Sequence, residues 1–466
     1  MSSRRPSYSR ARAACGIAGI VELVFLLTSC AGIHFGTPTD RGLKFSEPAA
    51  AYPSARFAVI SDPHFYDVDL GIEGSAFQRD VDSDRKLLLE SREILSSALL
   101  HVRELGVGFL LIPGDLTKDG ERQDHLLVAE ELSALSRTGV RVYVVPGNHD
   151  ILNPRAVRYS GASMTRVPNV NPAEFAEIYR DAGYGEALFR DPDSLSYVAE
   201  PVRGLWLLAV DSADYAGNAG RTAPETGSGL TQARVAWIES MLGLALSRQK
   251  AVIVMMHHGV VEHFASQARY FSRYLVRDWE KAADMLASYG VRVVFTGHFH
   301  AQDIALRQSA SGRAIFDVET GSLVTFPDPV RLVAIDAETQ RMKIESSFVM
   351  DLPSFSTRGV DFWQYSRDFT HEGTRRIAAK AMRSYGISSE EASTIAAQVA
   401  DAFVAHFRGD EHFTGTEMLG TRGLSPLAGL VVGMRRDLIT SLWNDPEPPD
   451  NDLVIDLAAG TWENGS

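Results

Sequence analysis

The sequence Val142-Tyr143-Val144-Val145-Pro146-Gly147-Asn148-His149-Asp150 joins a short apolar run to a turn that carries three polar side chains. The run 142–145 has the length and β-branched composition of a buried strand. Gly147 lets the chain turn tightly behind the polar residues, which therefore follow the carboxyl end of that strand. Because ligands bind at this edge of open α/β sheets, the segment predicts a fold class and the position of a site.

Four further segments repeat this arrangement. Polar side chains follow the apolar runs 57–60, 109–112, 252–256 and 293–296, and they are Asp62 with His64, Asp115, His257 with His258, and His298 with His300. One such motif is weak, since a lone strand-end Asp or His is more often a turn cap or a packing residue. Five in a row, each after an apolar run, are hard to explain by chance. Carboxylate, amide and imidazole groups without sulfur suit Mn, Fe or Zn.

The order Asp-x-His, Gly-Asp, Gly-Asn-His-Asp, His, Gly-His-x-His resembles the calcineurin-like metallophosphoesterase family over about residues 56–350. The resemblance implies an α/β fold, a four-layer α/β/β/α sandwich with two divalent or trivalent transition metal ions at its top. It assigns Asp62, His64 and His300 to one metal and Asn148, His257 and His298 to the other, with Asp115 bridging both. Hydroxide between the metals is then the nucleophile.

The resemblance also distinguishes ligands from the groups that assist them. It places His149 facing the substrate, where the imidazole assists the leaving group, and Asp150 is the candidate to orient that imidazole. The fourth motif reads His257-His258-Gly259, where the small-molecule branch of the family usually has His-His-Pro. We assign His257 to the metal and His258 to its support, and the reverse assignment stays open.

The second motif indicates a branch of the family. Gly114-Asp115-Leu116-Thr117-Lys118 lacks the Asp-Arg-Gly of protein phosphatases and has Lys118 where purple acid phosphatases place a tyrosine. It resembles class III cyclic nucleotide phosphodiesterases, and segments 61–66 and 84–88 resemble a lipoprotein subgroup with a C-terminal helical domain. We therefore expect hydrolysis of a small-molecule phosphodiester such as a cyclic nucleotide. The alternatives are a phosphomonoesterase or nucleotidase on the same site, and a surface binding lipoprotein without turnover.

Residues 1–29 have the pattern of an export signal, a basic stretch followed by an apolar run. The run ends in Leu27-Thr28-Ser29-Cys30, which resembles a lipobox, so we expect a lipoprotein signal peptide and a lipid anchor on Cys30 in a bacterial cell envelope. A plain secretory peptide or a short membrane anchor is the alternative. The only other cysteine is Cys15, so the processed chain has no disulfide and no thiolate metal site.

The remaining pattern predicts the domain organisation. Residues 30–53 have the Gly, Pro, Ala and Ser content of a tether, 54–351 form the phosphoesterase domain, and 352–466 form a smaller C-terminal helical domain. Helices are predicted at 85–105, 121–136, 231–247 and 278–289, and further strands at 314–318 and 330–334. The formal charge of -13 disfavours long nucleic acid as a partner.

Overall fold

The computed structural model describes residues 33–41, 50–218, 220–412, 414, 419–444 and 446–465. The predicted signal peptide 1–29, Cys30 and most of the predicted tether lie outside the described residues. Part of the tether segment is described, and there Arg41 forms an ion pair with Glu239. Of the helices in these ranges, none is both long enough and apolar enough to cross a membrane.

The described strands form two seven-stranded sheets and one two-stranded ribbon. They are β1 (Ala55–Val59), β2 (Phe109–Ile112), β3 (Arg141–Val144), β4 (Val157–Ser160), β5 (Ser163–Arg166), β6 (Phe189–Arg190), β7 (Tyr197–Val202), β8 (Leu205–Val210), β9 (Ala251–Met256), β10 (Val293–Thr296), β11 (Asp303–Gln308), β12 (Ala314–Glu319), β13 (Pro329–Asp336), β14 (Arg341–Phe348), β15 (Asp452–Asp456) and β16 (Thr461–Asn464). The first sheet has the order β16-β15-β14-β13-β1-β2-β3 and the second the order β11-β12-β10-β9-β8-β7-β6.

Helices flank both sheets. They are α1 (Ser75–Val81), α2 (Ser91–Glu104), α3 (Arg122–Ser136), α4 (Pro172–Ile178), α5 (Gln232–Ser247), α6 (Gln267–Tyr270), α7 (Trp279–Ser288), α8 (Pro353–Ser356), α9 (Phe362–Ser384), α10 (Ser389–Arg408) and α11 (Pro426–Leu442). Helices α3 and α5 contact β3 and β9 respectively, and α7 contacts β12. The predicted α/β sandwich with helices on its sheets is confirmed, as is the helical region after it.

The core follows the alternation of side chains along each strand. In β8, Leu205, Leu207 and Ala209 belong to the core between the sheets, whereas Trp206 and Leu208 belong to the core under α5 and α7. A strand buried on both faces has no polar positions, which is why its sequence is an unbroken apolar run. The two sheets meet across this first core, where the ring centroids of Phe57 and Phe295 are 5.4 Å apart.

Parallel pairing brings the polar motifs to one edge of the molecule. In the first sheet β1 pairs in parallel with β2, and β2 with β3. In the second sheet β9 pairs in parallel with β8 and with β10. Each of the five motifs follows one of these parallel strands, so the motifs converge where the carboxyl ends of the two sheets meet.

Two predicted elements differ from the observed ones. The predicted helix 85–105 begins only at Ser91, because the backbone N–H of Leu87 donates to the carbonyl of Val324 and holds the preceding segment as a loop. Beyond residue 352 the chain forms helices α8 to α11 but then returns as β15, which pairs with β14, and β16, which pairs with β15. These two strands were not predicted. The division at residue 351 stays a prediction.

Candidate metal centre

Buried imidazole and carboxylate groups from the two sheets meet in two overlapping groups. The first consists of Asp62, His64, Asp115 and His300, and the second of Asp115, His257 and His298, and within each group the ligand-type atoms lie within 4.8 Å of one another. Asp115 belongs to both groups. Seven side chains were predicted as ligands, and six of them appear in these groups, while the seventh, Asn148, lies beside the second.

The first group contains a buried carboxylate oxygen without a hydrogen bond from the part of the chain that the structure describes. Nε2 of His64 lies 3.2 Å from Nε2 of His300, and Oδ1 of Asp62 lies 3.3 Å from the same His300 nitrogen. This Asp62 oxygen is buried yet accepts no hydrogen bond from the described residues. Burying a charged oxygen without a partner is costly, and a cation at this position removes the cost.

The second group is arranged around Nε2 of His257. This nitrogen lies 3.1 Å from Oδ1 of Asn148 and 3.4 Å from Oδ2 of Asp115. The other ring nitrogen, Nδ1, donates to the carbonyl of Pro113 at 2.9 Å. Because a carbonyl only accepts, this bond fixes the proton on Nδ1 and leaves Nε2 with the lone pair that a metal needs.

His258 has both ring nitrogens occupied and is therefore suited to support rather than ligation. Its Nδ1 lies 2.8 Å from Oγ of Ser212, and its Nε2 lies 3.0 Å from the carbonyl of Thr226. The same carbonyl lies 3.2 Å from Nε2 of His298. Donation to Thr226 leaves Nδ1 of His298 as the nitrogen available to a metal. The geometry thus favours His257 over His258 for the metal.

Asp115 lies between the two groups. Its Oδ2 is 3.4 Å from Nε2 of His257 and 3.6 Å from Nε2 of His64, while its Oδ1 accepts a hydrogen bond from the backbone N–H of His149. One carboxylate oxygen therefore faces both groups at once. Although burial opposes it, the neighbouring imidazoles of His257 and His149 hold the pKa of Asp115 well below its usual range, so the carboxylate is ionised.

The charge state of the imidazoles suits metal binding. Burial, together with the charge of Lys86, lowers the pKa of His64 well below its ordinary value, and burial does the same to His298. Neutral imidazole is the form that ligates metals. At His257 burial also lowers the pKa, but Asp115 and Asp62 outweigh it and raise the pKa to about 9. A metal ion at this position takes the place of that proton.

Backbone strain is concentrated at the same residues. Positive φ angles occur at Asp62, His64, Asp115, His298 and His300, with values of 49°, 37°, 51°, 79° and 72°. Such angles are uncommon for residues with a side chain and cost free energy, so they persist where the surroundings enforce them, as they do at functional sites. Gly147 meets a related need, because a Cβ there would collide with the carboxylate of Asp115.

His149 occupies the rim of the site. Its side chain is 20% exposed, whereas those of Asp115 and His257 are 1% and 0% exposed. Nδ1 of His149 donates to the carbonyl of Lys118 at 2.7 Å and lies 3.0 Å from Oδ1 of Asp119. Since Nδ1 is held in this way, Nε2 is the free nitrogen, and the ring packs edge-on against His64 with centroids 4.9 Å apart.

The predicted pairing of Asp150 with the His149 imidazole is corrected by these contacts. Asp150 accepts hydrogen bonds from the backbone N–H groups of Gly147 and Thr117, at 2.8 and 3.0 Å, and so braces the two ligand loops against each other. Burial, with the charge of Asp115, raises the pKa of Asp150 to about 7. The Asp150 carboxylate points back into its own turn, and Asp119 is the carboxylate that orients the His149 imidazole.

Asp119 and the Thr226 carbonyl were not among the predicted site groups. The available signal for Asp119 was a second carboxylate four residues after Asp115 in a Gly-bounded turn. Asp119 forms an ion pair with Lys118 at 2.5 Å, and this cation holds its pKa well below the usual range despite burial. Thr226 acts through its backbone, which no side-chain pattern identifies.

Two sheets flanked by helices, with histidine and aspartate clustered at the carboxyl ends of their strands, define a metal-dependent hydrolase. Residues 55–302 match the model of the family described as calcineurin-like phosphoesterase, and the chain belongs to this family. The family indicates a phosphoric ester hydrolase, and its fold together with the His/Asp cluster suggests two divalent metal ions. Such an enzyme acts on small phosphoester substrates.

Similar solved structures share little sequence with this chain. A dimetal phosphatase from Danio rerio is 17% identical, with 64% of this chain and 97% of that chain covered and a TM-score of 0.45. A purple acid phosphatase from seeds of yellow lupin (Lupinus luteus) is 11% identical, with 64% and 52% covered and a TM-score of 0.35. A search of curated proteins found no match.

Proposed function

We propose that this protein hydrolyses a phosphodiester bond in a small molecule, with two metal ions as cofactors and His149 assisting the leaving group. The observation that carries the proposal is the position of Asp115, whose Oδ2 faces Nε2 of His257 at 3.4 Å and Nε2 of His64 at 3.6 Å. A carboxylate shared by two groups of ligands is the arrangement that two neighbouring cations require.

The two groups support the ligand sets that the sequence resemblance implies. Asp62, His64 and His300 would hold one ion and Asn148, His257 and His298 the other, with Asp115 shared. When bound, two such ions neutralise the phosphate and lower the pKa of a coordinated water to about 7. The nitrogen and oxygen donors suit Mn, Fe or Zn.

The contacts of His149 support its role in assisting the leaving oxygen. Its Nδ1 proton is committed to Lys118 and Asp119, so the proton it gives or withdraws is on Nε2. Although burial and Lys86 lower it, the charges of Asp115 and Asp119 raise the pKa of His149 above its ordinary value. When protonated on Nε2, the imidazolium can protonate an alkoxide as the phosphorus–oxygen bond breaks.

The choice of a diester rests on the sequence resemblance of Gly114-Asp115-Leu116-Thr117 to class III cyclic nucleotide phosphodiesterases. We test it with paired substrates, bis-nitrophenyl phosphate against nitrophenyl phosphate, and with cyclic nucleotides, each assayed with Mn, Fe and Zn. Faster turnover of the diester supports the proposal. Faster turnover of the monoester would make the protein a phosphomonoesterase, and no turnover with any metal would leave a binding lipoprotein.

Metal content tests the ligand sets independently of activity. Asp115→Ala removes the shared ligand and should lower the metal content at both positions, whereas Asn148→Ala should lower it mainly at one. Metal analysis of the purified protein, with His371→Ala as a control far from these groups in sequence, makes the comparison. Two ions per chain in Asp115→Ala would contradict the arrangement.

We also propose that the chain is exported and anchored by a lipid on Cys30, as Leu27-Thr28-Ser29-Cys30 indicates. Mass spectrometry of the protein from its native membrane should show a mature chain that begins at a diacylated Cys30. An intact leader, or cleavage at another residue, would remove the anchor from the proposal.

A further inference from the structure

A cavity of about 350 Å³ lies beside the metal centre, among the helices that follow the sandwich. Its volume is in the range of small-molecule sites. Most of its lining is aliphatic and comes from α9, α10 and α11, with Ile377, Met382, Ile395, Val399, Val431 and Val432 among the contributors. A chamber of this composition favours a hydrocarbon group over a polar one.

One wall of the cavity is shared with the metal centre. Tyr274 and Phe299 both line the cavity. The Tyr274 ring lies 4.5 Å from the His298 ring, centroid to centroid, and Phe299 stands in the chain between His298 and His300. The rings of Tyr274 and Phe299 therefore form the wall between a substrate at the metal centre and the cavity.

A cationic segment lies at the boundary of the two spaces. Arg85 lines the cavity, and its guanidinium lies over the ring of Phe407 at 4.9 Å. The Nε of Arg85 is buried and has no hydrogen-bond partner among the described residues. Lys86, the next residue, is 8% exposed, and its charge acts on His64 and His149. Lys86 forms an ion pair with Asp84 at 3.4 Å, so residues 84–86 carry one net positive charge, which matches an anionic phosphate seated at the metals.

The cavity reaches the surface between α9 and α11, where the hydroxyl of Tyr385 accepts a hydrogen bond from Arg435. Two of its lining residues, Ile377 and Tyr385, are exposed to 37% and 46%. Helix α11 lines the cavity with Val431 and Val432, and it also carries exposed apolar side chains at Leu427, Leu430 and Met434. The spacing of these three places them along one stripe of the helix, a surface suited to contact with lipid.

We propose that the substrate is a lipid phosphoester, whose phosphate binds at the metal centre and whose aliphatic chain fills the cavity between α9, α10 and α11. This inference rests on the proposed function and narrows its substrate class. The sequence resemblance implies a cyclic nucleotide. The lining includes Thr374, Arg435 and five aromatic rings, but the aliphatic side chains that form most of it offer no hydrogen bonds to the hydroxyl and amide groups of a nucleoside. The hydrocarbon instead gains free energy from each methylene it removes from water.

A homologous series of alkyl nitrophenyl phosphodiesters tests the proposal, because the leaving group stays constant while the chain grows. Water adds to phosphorus, nitrophenol leaves, and the alkyl phosphate remains. Used below the concentrations at which they form micelles, these substrates should show a KM that falls by about threefold to fourfold per added methylene until the cavity is full. The kcat should change little, since the chain is remote from the bond that breaks.

A matched pair of variants locates the effect. Ala378 lines the cavity from α9, and Ala378→Trp fills part of it, so the dependence of KM on chain length should be lost while the methyl ester is still hydrolysed. Ser384→Trp adds the same ring at an exposed position of α9 and should retain the dependence. A KM independent of chain length in the unaltered protein, or a nucleoside nitrophenyl phosphodiester preferred over every alkyl ester, would overturn the proposal while the phosphodiesterase activity stands.

A binding measurement tests the lipid assignment independently of the proposed hydrolysis of a phosphodiester. Calorimetric titration of the metal-free full chain with alkyl phosphates should show affinity that rises with chain length and falls in Ala378→Trp. If no diester is hydrolysed with any metal, the proposed function fails, yet this titration still decides whether the cavity takes a hydrocarbon. Affinity that does not depend on chain length, or that Ala378→Trp leaves unchanged, would refute the lipid assignment.

Discussion

At the scale of single residues, the way His149 is held predicts how its loss changes the reaction. An alkoxide is a poor leaving group and needs a proton, whereas nitrophenolate leaves without one. His149→Ala should therefore keep both metals and lose about 10²- to 10⁴-fold in kcat on an alkyl phosphodiester, but far less on a nitrophenyl diester. Measured kcat for the two substrates, with metal content, checks this.

Asp119 provides the matched control for the acid role. Asp119→Asn keeps a side chain of the same shape but removes the charge beside Nδ1, so it should lower kcat on the alkyl substrate by less than His149→Ala and leave the nitrophenyl substrate nearly unaffected. Equal losses on both substrates in His149→Ala would instead indicate stabilisation of charge on the transferring phosphoryl group. Loss of metal in His149→Ala would make it a support of the ligands.

A second residue-scale prediction concerns His263, which no motif includes. Its Nδ1 lies 2.6 Å from Oδ1 of Asp303, and its Nε2 lies 3.5 Å from Asp317 and 3.7 Å from Glu319. Although burial opposes it, Asp303 and Asp317 raise the pKa of His263 well above its ordinary value. Burial, with the neighbouring carboxylates, also raises the pKa of Glu319. His263 is therefore the buried cation of a carboxylate cluster.

The sign of the pH dependence follows from these shifts. The folded protein holds protons on His263 and Glu319 up to a higher pH than the unfolded chain does. The stabilisation that these protons give to the folded state is therefore complete at low pH. The His263 part is lost as the pH rises from about 6.5 through the raised pKa. His263→Gln should lower the free energy of unfolding by about 3–5 kcal/mol and reduce its decline with rising pH. Urea unfolding across this range, with the exposed His412→Gln as control, checks it, and unaltered stability in His263→Gln would contradict the ionic role.

The residues that could be predicted from the sequence are those whose side chains directly follow a parallel strand. Asp62, Asp115 and His257 were found because an apolar run fixes where the next side chains point. Asp119 was not found, because it lies inside a turn whose direction depends on Lys118 and on the packing around Asp80. The mistaken choice of Asp150 has the same origin, since adjacency in sequence does not give the direction of a side chain after a turn.

At the scale of elements, the strands that are continuous apolar runs were predicted accurately, whereas the ends of elements beside the metal centre were not. The runs 109–112 and 293–296 match β2 and β10 residue for residue. The helix predicted to begin at Arg85 begins at Ser91. Residues 85–88 are good helix formers, but tertiary contacts hold them as a loop beside the metal centre and override this local propensity.

The packing of α9 against this loop predicts an unusual response to a glycine substitution. A Cβ at Gly373 would lie 2.6 Å from the carbonyl oxygen of Asp84 and 2.9 Å from Cα of Arg85. Gly373→Ala should therefore destabilise the protein by about 1–3 kcal/mol and, by displacing the cationic loop, raise KM for anionic substrates. Thermal unfolding and steady-state kinetics measure the two effects.

Gly433 in α11 is the matched control. It is exposed, and a Cβ there meets nothing within 4 Å. Gly433→Ala should stabilise the protein by up to about 1 kcal/mol, as alanine does in an unobstructed helix, and leave KM unchanged. Equal stabilisation by Gly373→Ala and Gly433→Ala would contradict the close packing of α9 against the loop that contains Asp84 and Arg85.

At the scale of the whole molecule, the tail was the part least accessible from its sequence. Its helical character was predicted, and the structure shows the cap of α10, where Oγ of Ser388 accepts a hydrogen bond from the backbone N–H of Glu391. The strands β15 and β16 are short, and β15 pairs with β14 more than a hundred residues earlier in the chain, while β16 pairs with β15. A five-residue strand carries too few alternations to show which distant edge it joins.

Because β15 and β16 belong to the first sheet, the structure predicts the consequence of truncation after Asp351. Six side chains beyond that residue belong to the core between the sheets, namely Leu352, Phe355, Phe362, Leu453, Ile455 and Leu457. Removing one large buried side chain costs about 2–5 kcal/mol, and a domain is stable by only about 5–15 kcal/mol. The truncated chain should therefore fail to fold, which is measured by circular dichroism and by thermal unfolding.

Point variants in β15 test the same cause without removing the helices. Ile455 is fully buried against the sandwich, whereas Val454 lies on the opposite face of the strand and is half-buried. Ile455→Asp should destabilise the whole protein and lower its metal content, because the first sheet that carries Asp62, Asp115 and Asn148 unfolds with it. Val454→Asp should change stability much less. A truncated chain that unfolds cooperatively and binds two metals would show instead that residues 54–351 fold alone, and the tail would then be a separate domain placed over a complete enzyme.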